Sequence, residues 1–132
     1  RQMCIETGTY YTNHSLVPQN KVVAILNLEQ VGVGEMLGAN YHYKYPELAE
    51  LSEKANDRYV HRRLFTSETH FLTRPRTDGA VFMKAGYPCI DLWALGGGYY
   101  HHPKDNTQSI NPDILRAATE WLYWTTIFIA DK

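Results

Sequence analysis

The sequence predicts an α/β domain, and three observations carry that expectation. Two short apolar runs, Val22–Leu26 continuing to Glu29 and Pro88–Leu95, have the length and the β-branched or aromatic content of buried strands. Each is followed by glycines, Gly32 and Gly34 after the first and Gly96-Gly97-Gly98 after the second. Two other stretches, Pro46–Tyr59 and the segment after Asn111-Pro112, repeat their apolar residues every three or four positions, as helices covering a sheet do. At 132 residues, 44% hydrophobic and 20% charged, the chain has the size and composition of one globular domain with a core.

Taken in order, the first 20 residues are polar and turn-rich, and a short helix around Tyr10–Asn13 is all that their pattern accommodates. Val22–Glu29 reads as a central strand. Its glycine-marked end opens the chain, so Glu29 should project near the sheet edge where residues after the second strand emerge, provided the two strands run parallel. Pro46–Tyr59 reads as a helix: Pro46 suits the first turn, Glu47 complements the dipole, and Leu48, Leu51 and Ala55 form one stripe. Arg58, His61, Arg62 and Arg63 at its end are expected to be solvated. Leu64–Arg76 has no assignable period, although Phe65, Phe71 and Leu72 are candidates for burial.

The stretch Thr77–Asn111 organises the rest. Asp78–Ala85 is expected to form a short helix with Val81, Phe82 and Ala85 inward and Gly86 at its C-cap. Pro88–Leu95 follows as a strand covered on both faces. The three glycines then let Tyr99, Tyr100, His101 and His102 emerge as a loop past the strand's carboxyl end, where open α/β sheets carry their chemistry. Asn111 as N-cap and Pro112 as first residue start a terminal helix, with Ile114, Ala118, Trp121, Leu122, Thr125 and Ile129 facing the sheet.

A net charge of -1 and a pI near 6.6 give no electrostatic footprint for nucleic acid, and no apolar run approaches the roughly 20 residues of a spanning helix, so neither nucleic acid nor membrane is an expected partner. Two cysteines, Cys4 and a Cys89 expected to be buried, do not suggest a disulfide framework. The chain begins at Arg1 with no basic-then-apolar leader, and the expectation is that it is cut from something longer.

The order of motifs is itself informative: Asn27-Leu28-Glu29-x-x-Gly32 ending a strand, a helix, Thr77-Asp78-x-x-x-Phe82-x-x-Ala85-Gly86-x-Pro88, a strand, and Tyr100-His101-x-Pro103-x-Asp105 before a final helix. This order resembles the carboxyl-terminal half of the co-catalytic zinc exopeptidases, the group of bacterial leucyl-type aminopeptidases, glutamate carboxypeptidase and glutaminyl cyclase. The resemblance runs from about Tyr10 to the end. It implies a doubly wound, mostly parallel sheet flanked by helices, of which residues 1–132 would be the carboxyl-terminal portion. It also implies two zinc ions at the strands' carboxyl ends and a peptide or amino-acid-derivative substrate, with the missing amino-terminal half of the same domain as partner. By position, Glu29 and His101 match ligands of one zinc, Tyr100 matches a tyrosine that stabilises the tetrahedral intermediate in some members, and Asp78 matches a supporting residue near the substrate pocket. Members are often secreted or periplasmic, which is the only pointer to location.

The departures point the other way. Glu29 stands where the family has Asp, and its extra carbon–carbon bond is about 1.5 Å long, against a tolerance of about 0.2 Å at a metal site. Gly79 replaces the histidine of Ser-Asp-His. The family's first histidine, bridging Asp and Glu-Glu pair would lie upstream of Arg1 or at the chain's edge, and placing Glu6 at that pair leaves Ile5 where the base should be. The expected function is therefore a fragment of a zinc-dependent, aminopeptidase-like exopeptidase, inactive alone. The alternative is a catalytically silent member acting as a binding or scaffold domain. Asp78 would equally serve as N-cap of the short helix. Glu29 would equally be a strand-end carboxylate in water. His14, His42, His61 and His70 have no partner at metal-motif spacing and are expected to be structural or at the surface.

Overall fold

The computed structural model describes residues 3–69, 76–99 and 102–132. In chain order these form α1 (Met3–His14), β1 (Ile25–Glu29), β2 (Met36–His42), α2 (Pro46–Ala55), β3 (Leu64–Thr69), α3 (Asp78–Lys84), β4 (Cys89–Leu95) and α4 (Pro112–Ala130). The strands make one sheet in the order β1-β4-β2-β3. β1 runs parallel to β4 and β2 parallel to β3, while β4 and β2 are antiparallel. The α/β architecture with a mostly parallel sheet flanked by helices is thus present, and so is the parallel pairing that sets Glu29 level with Trp93.

Alternation along β4 separates two environments. Ile90 and Leu92 join Leu37 and Ala39 of β2 and pack under Ile114, Ala118 and Trp121 of α4, all essentially inaccessible to water. Burying side chains of this size stabilises the fold by about 1.5–3 kcal/mol each. Asp91 and Trp93 point to the opposite face, where α3 packs on β1 and β4 and α1 packs on α3. α4 begins as expected: the Asn111 side chain accepts from the Asp113 and Ile114 amides, Pro112 takes the first position, and Asn111 Nδ2 also donates to the Gly34 carbonyl at 2.8 Å. After β4, Gly96, Gly97 and Gly98 all take positive φ, between 97° and 121°, which only glycine adopts freely.

Several expectations are corrected. The strand read as central, β1, is an edge strand among the described residues, and β4 occupies the interior. β2 and β3 lie where no strand was expected, because Gly38, Asn40, Ser67 and Thr69 interrupt their apolar character. Phe65 is 56% exposed: on the outer strand β3, alternation turns its neighbour Leu64 to the core and Phe65 away. Phe71 and Leu72 lie outside the described residues. In α3, Val81 and Met83 are buried while Phe82 is half-buried and Ala85 exposed. Gly79 lies against Asp91 and Val81 beside Gly8 of α1, so Gly79, Val81 and Met83 form the inward side of the helix.

α1 is longer than the turn expected at Tyr10–Asn13. Its contact with α3 includes buried Gly8, which lies against Asp78 and Val81, and the edge-on ring pair of Tyr11 with Phe82. The α2 expectation holds to Ala55, after which a π-helical turn, Asn56–Val60, ends on His61 in the left-handed region at φ 54°. The Asn56 side chain holds that turn by donating to the Arg62 carbonyl and accepting its amide. Arg58, His61 and Arg63 are exposed and Arg62 half-buried, in keeping with a solvated cluster. Among the described residues no helix is long and apolar enough to cross a membrane.

His42, at the end of β2, is 6% exposed and accepts the Lys44 amide through Nδ1. Desolvation, with Lys44 adding repulsion, holds its imidazole below the ordinary value of 6.5. The folded state therefore binds a proton less readily than the unfolded chain, and stability is lost as pH falls below 6.5 towards the folded value. His42→Gln should flatten the wild-type decline in urea-unfolding free energy between pH 7 and about pH 5. At the start of α4, Asn111→Ala should cost about 1–2 kcal/mol in the same assay. Asn111→Asp, which keeps the cap and loses only the bond to Gly34, should fall between it and wild type.

Candidate functional site

The polar face of the sheet opens into a cavity of about 280 Å³ lined by Glu29 of β1, Asn40 of β2, Asp91, Trp93 and Ala94 of β4, Ala80 and Met83 of α3, and Thr77 and Arg76 before it. Alternation explains the set. Asn27 is level with Asp91 on β4, which is level in turn with Asn40 on β2, so adjacent strands stack polar residues on one side. The Asn40 side chain is in turn hydrogen-bonded by the Ser67 hydroxyl of β3.

Asp91 anchors this face. It is 7% exposed, and both carboxylate oxygens are taken: Asn27 Nδ2 donates to Oδ1 at 2.7 Å and Thr77 Oγ1 to Oδ2 at 2.7 Å. Burial raises its carboxyl above the ordinary value, the Thr77 and Asn27 bonds oppose that rise, and the Asp78 charge adds to it. Gly79 makes the packing feasible, since a Cβ there would lie 2.7 Å from Asp91 Cγ. Any side chain at position 79 would therefore displace Asp91. Sequence reasoning passed over Asp91, although an acid inside Cys89-Ile90-Asp91-Leu92-Trp93 is a signal, because a charge buried in an apolar strand must be bonded.

Glu29 is half-buried at the carboxyl end of β1 and lines the cavity. Desolvation raises its carboxyl, the Asn27 hydrogen bond and the Asp78 backbone lower it, and the Asp91 and Asp78 charges add to the rise. Its bond from Asn27 is long, 3.5 Å, so the carboxylate keeps acceptor capacity towards the cavity. Asp78 sits beside it, half-buried at the first turn of α3, with Oδ1 accepting the Gly8 amide at 3.2 Å. It does not cap the helix. Thr77 does, its hydroxyl accepting from Ala80 N. The structure thus brings Glu29 and Asp78 together with Asp91. Tyr100 and His101 lie outside the described residues. Glu6 is exposed on α1. Cys89 is buried and free, with its thiol pushed up by desolvation.

This arrangement can hold protons on crowded, partly desolvated carboxyls and orient a polar ligand. By themselves the described residues do not fit a zinc ion, which takes four N, S or O donors. Among them no group of three or more His, Cys, Asp or Glu side chains is placed to hold a metal, both Asp91 oxygens accept a hydrogen bond, and Asp78 accepts the Gly8 amide. Glu29, whose bond from Asn27 is long, keeps acceptor capacity and lines the cavity. Thr77→Val should destabilise the fold by about 2–4 kcal/mol by losing both the cap and the bond to a buried carboxylate. Thr77→Ser should retain most of that stability in urea unfolding.

No curated protein sequence matches the chain significantly. Solved structures are similar at the level of fold. The zinc aminopeptidase BSAP of Bacillus subtilis superposes with a TM-score of 0.74 at 16% identity, over 94% of this chain and 32% of that one. The Legionella pneumophila aminopeptidase LapA gives 0.71 at 14%, over 96% and 34%. The Porphyromonas gingivalis glutaminyl cyclase gives 0.64 at 20%, over 91% and 45%. The chain therefore spans a third to under half the length of these proteins. The sequence match is broader than any one motif, covering residues 4–125, and on it the chain belongs to peptidase family M28.

Proposed function

We propose that residues 1–132 form the carboxyl-terminal portion of an M28 exopeptidase domain that hydrolyses N-terminal peptide bonds once the rest of the domain is present. The observation carrying this reading is Glu29: a half-buried carboxylate with free acceptor capacity, facing a cavity at the carboxyl end of a strand parallel to β4. In this reading Glu29 and His101 contribute donors to a zinc site completed by residues outside the chain, and bound zinc would supply an activated water and a polarised carbonyl. The chain's own residues do the positioning. Asp91 fixes Asn27 and Thr77, Asn27 steadies Glu29, and Asp78 joins α1 to the cavity rim through Gly8. Tyr100 would stand beside the reacting carbonyl. In this reading the general base also comes from outside the chain, so the 132-residue chain would not turn over substrate by itself.

A second reading has its own support. Asp91 occupies the space beneath Gly79 that a side chain there would need, and each of its oxygens already accepts a bond that ties it to Asn27 or Thr77. That pattern suits a silent family member retained for binding.

The protein translated from the intact gene should bind zinc and release the amino acid from an aminoacyl-p-nitroanilide, whereas the 132-residue chain should do neither. In the intact protein, Glu29→Ala and His101→Ala should each lower zinc affinity and cut kcat/KM by roughly 100-fold or more. An intact protein that binds no zinc and cleaves no aminoacyl amide supports the silent-member reading instead.

A further inference from the structure

Asp91 is a buried carboxylate that lacks a counter-charge among the described residues. Its oxygens accept from two neutral donors, the Asn27 amide and the Thr77 hydroxyl. An ionised carboxylate offers about four lone-pair sites, so these bonds leave it capacity for a further donor. Burial raises its proton affinity, the two hydrogen bonds oppose that rise, and the charge beside it, Asp78, is of its own sign. Arg76 also lines the cavity, but it is exposed and is not among the groups that act on Asp91. A carboxylate so placed is stabilised by a cation that can reach it.

The cavity gives a cation its route. Glu29 is level with Trp93 at the carboxyl ends of β1 and β4, and Asp91 lies two residues back along β4, about 6.6 Å at roughly 3.3 Å per residue. Both carboxylates line the cavity, and Ala80, Met83 and Trp93 wall it. A lysine side chain spans five bonds of about 1.5 Å from its Cα, so its ammonium stands roughly 6 Å away when the stem is staggered. Apolar walls suit such a stem, which buries its methylenes while its head meets a polar partner. An apolar side chain of the same length would seal Asp91 from water with no counter-charge, and an acidic one would set like charges together.

We propose that the cavity receives the side chain of a substrate's amino-terminal residue and selects lysine or arginine, whose cationic head meets the Asp91 carboxylate. This deepens the peptidase reading and rests on it, because Glu29 is what places the reacting bond beside this cavity. Asp91 then has two roles. It holds Asn27 and Thr77, and it decides which residue enters. The along-strand offset from Glu29 sets the length of side chain that fits.

The test compares the p-nitroanilides of lysine and norleucine on the protein translated from the intact gene, since norleucine keeps a straight four-carbon side chain and lacks the ammonium. The lysyl substrate should show a kcat/KM at least roughly 10-fold above the norleucyl one. In Asp91→Asn that ratio should fall towards one. Because the ratio is read within one protein, a general loss of stability does not move it. An active enzyme that favours norleucine, or an Asp91→Asn variant that keeps the wild-type ratio, would overturn the proposal and leave the peptidase reading standing. Calorimetric titration of the wild-type protein with lysinamide and norleucinamide reads the same discrimination without turnover and without a variant that has to fold. In an inactive protein, tighter lysinamide binding would keep the cavity's selectivity while the hydrolytic reading falls, and equal binding of the two would overturn both.

Discussion

The alternation of β4 sets everything else in place. Because successive side chains of a strand point to opposite faces, Ile90 and Leu92 go to the core under α4 while Asp91 and Trp93 go to the face under α3. A slip of one residue would bury the carboxylate among Ile114, Ala118 and Trp121 and turn two core side chains to the cavity, so the register is strongly specified. Asp91 then ties three elements together, taking Asn27 from β1 and Thr77 from the start of α3 while sitting on β4. The fold can carry this desolvated carboxylate because both its oxygens are bonded and because the opposite face of the same strand is fully apolar.

The site inherits its character from that polar face. Burial first, and the charges of their neighbours second, raise the proton affinity of Glu29 and Asp91, but the three carboxyls Glu29, Asp78 and Asp91 are not equivalent. Asp91 is bonded by Asn27 and Thr77, Asp78 by the backbone of α1, and Glu29 only by a long bond from Asn27 and by the Asp78 backbone. Gly8 and Gly79 permit this geometry by close approach: a Cβ at either would meet an aspartate side chain at 2.7 Å. The face is built from one side only, by β1, β4 and α3.

Much of this was legible in the chain. Two strands, the amphipathic α2 and α4, the Asn111-Pro112 start, the glycine-marked strand ends and the family itself follow from local pattern, because turn chemistry, capping and apolar periodicity act over a few neighbouring residues. The motif order also singled out Glu29 and Asp78, which the fold does bring together. β2 and β3 were not legible because their strand character comes from pairing with β4 and with each other. α1 was not because part of its contact with α3 runs through a glycine, which carries no hydropathy signal. The edge position of β1 was not because an apolar strand has the same sequence whether its second neighbour is present or absent.

What the sequence by itself determined is therefore the class of fold, its family and the identity of its local elements, all consequences of short-range chemistry. Only the tertiary structure decided that Asp91 is the anchor of the polar face, that Thr77 and not Asp78 caps α3, and that Gly79 is empty because Asp91 fills the space below it. Those outcomes depend on which residues from distant segments meet. Asn27 and Asp91, or Gly8 and Asp78, are dozens of residues apart along the chain, and they are neighbours only because parallel pairing and helix packing put them there.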